Sequence, residues 1–225
     1  MTGTVARTAP RRGQTLAGLL LGVAALILAG GCAHSPHYSV RDVDRLVGDE
    51  YTVVPHLYVP EVRNPNACGM QALAAVLHFH DPAEDMDELL AYEPWDPRGA
   101  TSIEILQQAR QRGYQAQLHQ GTWDQIATHL EAGTPVLVLY DASVEERLLA
   151  MAREGRMAAI PLNRPIPRGE EENLHWAAVG GISPDGESLA IAIPQNQFFL
   201  IDRESFLERW EASANCLIVV EPQPS

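Results

Sequence analysis

The chain reads as an α+β protein in which a helical lobe with a buried, cysteine-bearing helix packs on an antiparallel sheet. Three observations predict this. In NPNACGMQALAAVLHFH, residues 64–80, a cysteine follows a helix-cap signal and leads into a long apolar run. Helical patterns fill most of the first half, whereas four strand-like runs follow in the second. The first two of those runs are joined by Ser183-Pro184-Asp185-Gly186, a short turn that suits antiparallel neighbours.

The N-terminal stretch stands outside the fold. Arg7, Arg11 and Arg12 form a basic region, and Leu16 to Leu28 is an apolar run of 13 residues. A membrane span needs about 20 apolar residues, so this run is expected to be a signal-peptide core. Ala29-Gly30-Gly31-Cys32 follows and resembles the lipobox of bacterial lipoproteins. The resemblance implies cleavage before Cys32 and lipid on its sulfur. Ala33, in place of aspartate, points to the outer membrane of a double-membraned cell, on the periplasmic side. Residues 1–31 are therefore assigned to the signal peptide, 32–51 to a polar tether with a weak helix signal near Arg41 to Leu46, and 52–225 to the domain.

Loss of three arginines leaves 13 basic residues against 29 acidic, a net charge of −16 for the chain from Cys32. That excess repels phosphate backbones and argues against nucleic acid as a partner. No zinc spacing, phosphate loop or dinucleotide fingerprint is present, so no metal or cofactor is invoked. Asp81, Glu84, Asp85, Asp87 and Glu88 cluster, but without the glycine-bearing loop of a calcium hand they read as a solvated helix start.

Along the domain, Met70, Leu73, Ala74 and Leu77 follow helical spacing, and Ala72, Ala75 and Val76 widen the apolar surface, which predicts a helix buried nearly all round. Asp85 to Tyr92 reads as a short helix. Thr101-Ser-Ile-Glu104 and Thr122-Trp-Asp-Gln125 are capping boxes that open helices ending at Gly113 and Gly133. Pro135 to Tyr140 is a buried strand. Ser143 to Arg153 is helical and Arg156 to Asn173 a loop. Leu174 to Ile182, Ser188 to Ile193, Phe198 to Ile201 and Cys216 to Glu221 are strands, with a short helix over Glu204 to Trp210.

The chemistry centres on Cys68. With Asn66 as N-cap, Cys68 falls in the first turn, where a helix start favours thiolate and the backbone N–H points at an incoming oxyanion. Gly69 would let a substrate backbone approach. A thiol nucleophile needs an imidazole to take its proton and return it to the leaving amine. His175 fits best, because it opens an apolar strand and so lies at a strand end. His78 and His80 lie about 15 Å or more along the Cys68 helix. His119 and His129 fall in polar helical stretches or beside them, and His34, His37 and His56 in the tether or just after it. Cys216 sits in an apolar strand and reads as a core thiol, with a Cys68–Cys216 disulfide as the alternative.

CGMQALAAVL resembles the cysteine block of the double-glycine leader peptidases, cysteine peptidase family thirty-nine, and HWAAVGGI resembles their histidine block. The resemblance spans about residues 52–221 and implies a papain-like fold and cysteine endopeptidase activity on a peptide or protein substrate, with Cys68 as nucleophile and His175 as general base and acid. Two positions depart from the pattern. The family glutamine that donates to the oxyanion is replaced at Val62 and Arg63, which leaves Asn64 and Arg63 as candidate donors. The family aspartate before proline is replaced in Ile193-Pro194, which leaves Asn196, with Gln195 as alternative, to orient the imidazole. Residues 142–173 form a longer insert than the pattern implies, either a lid over the cleft or a surface excursion. The rival expectations are a non-catalytic envelope module that binds a peptide or protein, and an amidase or transglutaminase-like acyl transferase on the same fold.

Overall fold

The structure is a computed structural model that describes residues 38–61, 65–143 and 173–224. All of them belong to one compact unit, Pro36–Ser225. Its strands are β1 (Tyr38–Asp42), β2 (Thr52–Val53), β3 (Tyr114–Gln120), β4 (Val136–Asp141), β5 (Leu174–Ile182), β6 (Ser188–Ile193), β7 (Gln197–Asp202) and β8 (Cys216–Pro222). The helices are α1 (Val43–Gly48), α2 (Cys68–His80), α3 (Asp87–Leu90), α4 (Ser102–Gln111), α5 (Trp123–Glu131) and α6 (Arg203–Trp210).

Among the described residues these strands form one antiparallel sheet in the order β1-β7-β6-β5-β4-β8-β3, with β2 paired to the end of β5. Helix α2 lies across β5 and also reaches β4 and β8. It is buried from Cys68 to Leu77 except at Gln71. Met70, Leu73 and Leu77 have no exposed surface, and burying each such side chain is worth about 1.5–3 kcal/mol. That apolar sequence is long enough for a helix and unbroken enough for a helix enclosed between a sheet and other helices.

Both capping boxes form in full. The Thr101 hydroxyl accepts from the Glu104 N–H while the Glu104 carboxylate accepts from the Thr101 N–H, and Thr122 and Gln125 do the same for α5. The expected turn closes with the Gly186 N–H donating to the Ser183 carbonyl at 2.9 Å. Asp81 and Asp85 of the acidic cluster accept from the N–H groups of Ala83 and Asp87, and Glu84 and Glu88 pair with Arg112 at 3.9 and 3.6 Å.

The separation of helices first and strands second is too simple. β3 lies between α4 and α5 and pairs along its whole length with β8. In its sequence YQAQLHQ the buried Tyr114 and Ala116 alternate with exposed Gln115 and Gln117, the period-2 pattern of a half-buried strand, while Leu118 is exposed, and His119 lies in it. Residues 38–51, expected in the tether, are also structured. β1 pairs with β7 at the sheet edge, and α1 buries Leu46. An edge strand can be recruited from a polar sequence because only its backbone and one face need partners. The expected helix from Ser143 and the loop to Asn173 lie outside the described residues, apart from their end positions Ser143 and Asn173.

Candidate functional site

Cys68 is the first residue of α2, one position closer to the helix start than expected. The 3-10 turn Pro65–Ala67 leads into it, and Ala67 occupies the N-cap without a side-chain cap. Proline suits the opening of such a turn because its missing N–H would have no helical acceptor there. Asn66 is exposed and is not the N-cap. Cys68 is 8% exposed. Gly99 lies alongside it: a Cβ on Gly99 would stand 4.0 Å from the Cys68 Sγ, and its φ of +135° is a conformation open to glycine.

Gly69 does not face the cleft as expected. It is buried, and a Cβ there would meet Ala100 Cβ at 2.8 Å, Ile105 Cδ1 at 3.0 Å and Trp176 Cδ1 at 3.2 Å. Glycine is needed here for helix-to-sheet contact. Trp176 is itself fixed by its Nε1–H, which donates to the Ala100 carbonyl at 2.9 Å. Thus the residue after the cysteine packs on the residue after the histidine.

His175 is the second residue of β5, half-buried, and lies opposite Tyr140 of β4. Cys68 and His175 line one open cleft, together with Gln71, Ala72, Ala178, Ala192, Ile193 and Pro194 among others. No charged side chain lines it among the described residues. Gln71, one turn after Cys68, donates from Nε2 to the Pro60 carbonyl at 2.6 Å and pins the segment preceding the helix.

The rim beside Cys68 is held by a buried carboxylate. Glu104 accepts from Tyr92 Oη, the Trp95 N–H, and both the N–H and hydroxyl of Thr101 at 2.7–2.9 Å. Burial alone pushes its carboxyl up, but the hydrogen bonds from Thr101, Trp95 and Tyr92 outweigh that and hold it below its ordinary value.

The remaining sequence candidates are placed as follows. Asn196 sits in the β6–β7 turn with φ +57°, exposed, its carbonyl accepting from the Val43 N–H at 3.4 Å, and it is not among the residues lining the cleft. Gln195 donates to Glu61 at 3.2 Å. Ile193 and Pro194 form the cleft wall instead. Arg63, Asn64 and Cys32 lie outside the described residues. His80, at the far end of α2, hydrogen-bonds the Val220 carbonyl through Nε2 at 2.9 Å. No disulfide joins Cys68 and Cys216. Burial pushes the Cys216 thiol up to about 11. Sequence reasoning missed Tyr140, Gln71 and Gly99 as neighbours of the site. Only Gln71, the one polar residue in the apolar part of α2, carried a visible signal.

No protein-family model matches the chain, and no curated protein matches it. Solved structures do. The peptidase domain of Streptococcus ComA, a bifunctional ABC transporter involved in a quorum-sensing pathway, is 16% identical, with a TM-score of 0.50 over 75% of this chain and 99% of that one. A Bacillus anthracis protein named as a C39-like peptidase is 15% identical, with a TM-score of 0.53 over 77% of this chain and 98% of that one. The chain therefore has the α+β, papain-like fold of the C39 peptidase domains.

Proposed function

We propose that the protein is a cysteine peptidase of the cell envelope, lipid-anchored through Cys32 and facing the periplasm from the outer membrane. The observation that carries the catalytic part is that Cys68 and His175, 107 positions apart in sequence, line one cleft. In this reading His175 takes the Cys68 proton. The sulfur attacks a substrate carbonyl, and the oxyanion gathers at the helix start, where backbone dipoles favour negative charge. His175 returns the proton to the leaving amine, and water cleaves the thioester with His175 as base.

Alkylation with iodoacetamide near pH 7, read site by site by mass spectrometry, tests the nucleophile. Cys68 is expected to label far faster than Cys216, whose thiol stays protonated at that pH. Equal, slow labelling removes the assignment. A peptide library incubated with the wild-type chain and with Cys68→Ala then identifies the scissile sequence and separates hydrolysis from acyl transfer. For the anchor, labelling with radioactive palmitate should be lost in Cys32→Ala, and retention of label in that variant rules the anchor out.

One observation favours a second reading. Ile193 forms the cleft wall where the family pattern has a carboxylate, so a module that binds peptide without cleaving it keeps a place. Equal, slow labelling of Cys68 and Cys216, with no product from any library peptide, is the outcome it expects.

A further inference from the structure

We infer that Tyr140 is a positioning residue for His175, holding the imidazole plane through its ring; the inference rests on the peptidase reading above. Tyr140 is directly across the β4–β5 ladder from His175. Their rings meet edge to face, with centroids 6.5 Å apart and planes at 82°. Tyr140 has no exposed surface. Phe206 backs it at 6.2 Å, and Trp210 lies behind Phe206 at 5.3 Å. His175 thus stands at the exposed end of a row of packed rings that runs from the cleft into the core.

The Tyr140 hydroxyl is buried and has no hydrogen-bond partner among the described residues. What it presents to His175 is therefore an aromatic surface. Such a surface suits this site. Ile193 stands in the cleft wall and Asn196 in an exposed turn, while the Tyr140 ring meets the imidazole across the strand ladder. A half-buried imidazole that rotates away from the sulfur is useless as a base, and an edge-to-face neighbour penalises that rotation. Among the described residues, Cys68 lines the cleft with His175, and Asp141 follows Tyr140 in β4. The Asp141 carboxylate accepts from the Ser143 N–H and lies 3.8 Å from Arg209.

The test measures the iodoacetamide rate at Cys68 against pH in the full chain, for wild type, Tyr140→Phe and Tyr140→Leu, with thermal unfolding alongside. Tyr140→Phe keeps the ring and should reproduce the wild-type profile. Tyr140→Leu should label about 2- to 10-fold more slowly at neutral pH, with the inflection displaced toward the ordinary thiol range, and Cys216 should be unaffected. A purely structural role would lower the unfolding temperature without moving that inflection. The inference is overturned if the Tyr140→Leu profile superimposes on wild type, or if Tyr140→Phe falls as far as Tyr140→Leu. Should Tyr140→Leu not fold, NMR of the wild type decides. A His175 ring proton displaced by an aromatic ring current, and equally so in Tyr140→Phe, supports the assignment, and an undisplaced one ends it. A wild-type Cys68 no faster than Cys216 defeats the peptidase reading itself, whereas a fast Cys68 indifferent to Tyr140→Leu defeats this inference alone.

Discussion

A methyl group on Gly69 would stand 3.2 Å from Cδ1 of Trp176. These residues directly follow Cys68 and His175 in the chain, so one close contact fixes the spacing of the two motifs. The Trp176 bond to the Ala100 carbonyl adds the loop beside Cys68 to the same arrangement.

Gly69→Ala is therefore expected to destabilise the protein and slow Cys68 alkylation together. In an exposed helix alanine gains about 1 kcal/mol over glycine. Overpacking a tight contact costs about 1–3 kcal/mol, and with Ala100 Cβ only 2.8 Å away the second effect wins. Gly48, with nothing within 4 Å of its added Cβ, is the control. Gly48→Ala should leave both quantities unchanged or raise stability slightly, as urea titrations would register.

His175→Ala should slow Cys68 alkylation at neutral pH and shift its rate profile toward that of an ordinary thiol near pH 8.5. Unfolding temperature should change little, because His175 is half-buried at a strand end. A labelling profile identical to wild type would show that the imidazole does not act on the sulfur.

Glu104→Gln should cost about 1–3 kcal/mol at pH 7, because the amide places a donor among the N–H and O–H donors that the carboxylate now satisfies. The folded-state carboxyl lies below its unfolded value. Its contribution is thus complete above the unfolded pKa and is lost as pH falls through the folded one. The gap between wild type and variant in thermal melts should narrow below about pH 4.

Burial holds His80 below its ordinary value, against the opposing pull of the Val220 carbonyl and Glu221. The unfolded chain then binds more protons than the folded one just below about pH 6.5. Stability should therefore decline as pH falls from there toward the folded pKa. His80→Gln, whose amide can still donate to Val220, should flatten that part of the stability curve. An unchanged slope would assign the decline to other groups.

The sequence by itself determined the elements whose signals are local. The apolar run of α2, the capping boxes at Thr101 and Thr122, the turn at Ser183 to Gly186 and the apolar strands β4, β5, β6 and β8 were all legible, because helix caps, turns and burial periodicity act over a few residues. The cysteine and histidine blocks were legible for the same reason. β3 carried its alternating pattern but lay between two strong helices, and β1 pairs with the edge that β7 presents. The tertiary structure alone decided that Cys68 and His175 share a cleft, that Gly69 faces Trp176 and not the cleft, that Ile193 lines the wall while Asn196 lies in an exposed turn, and that Tyr140 stands against His175. Each of these depends on strand register and helix-to-sheet packing between positions far apart in the chain, and no local pattern of residues encodes which distant side chain will be the neighbour.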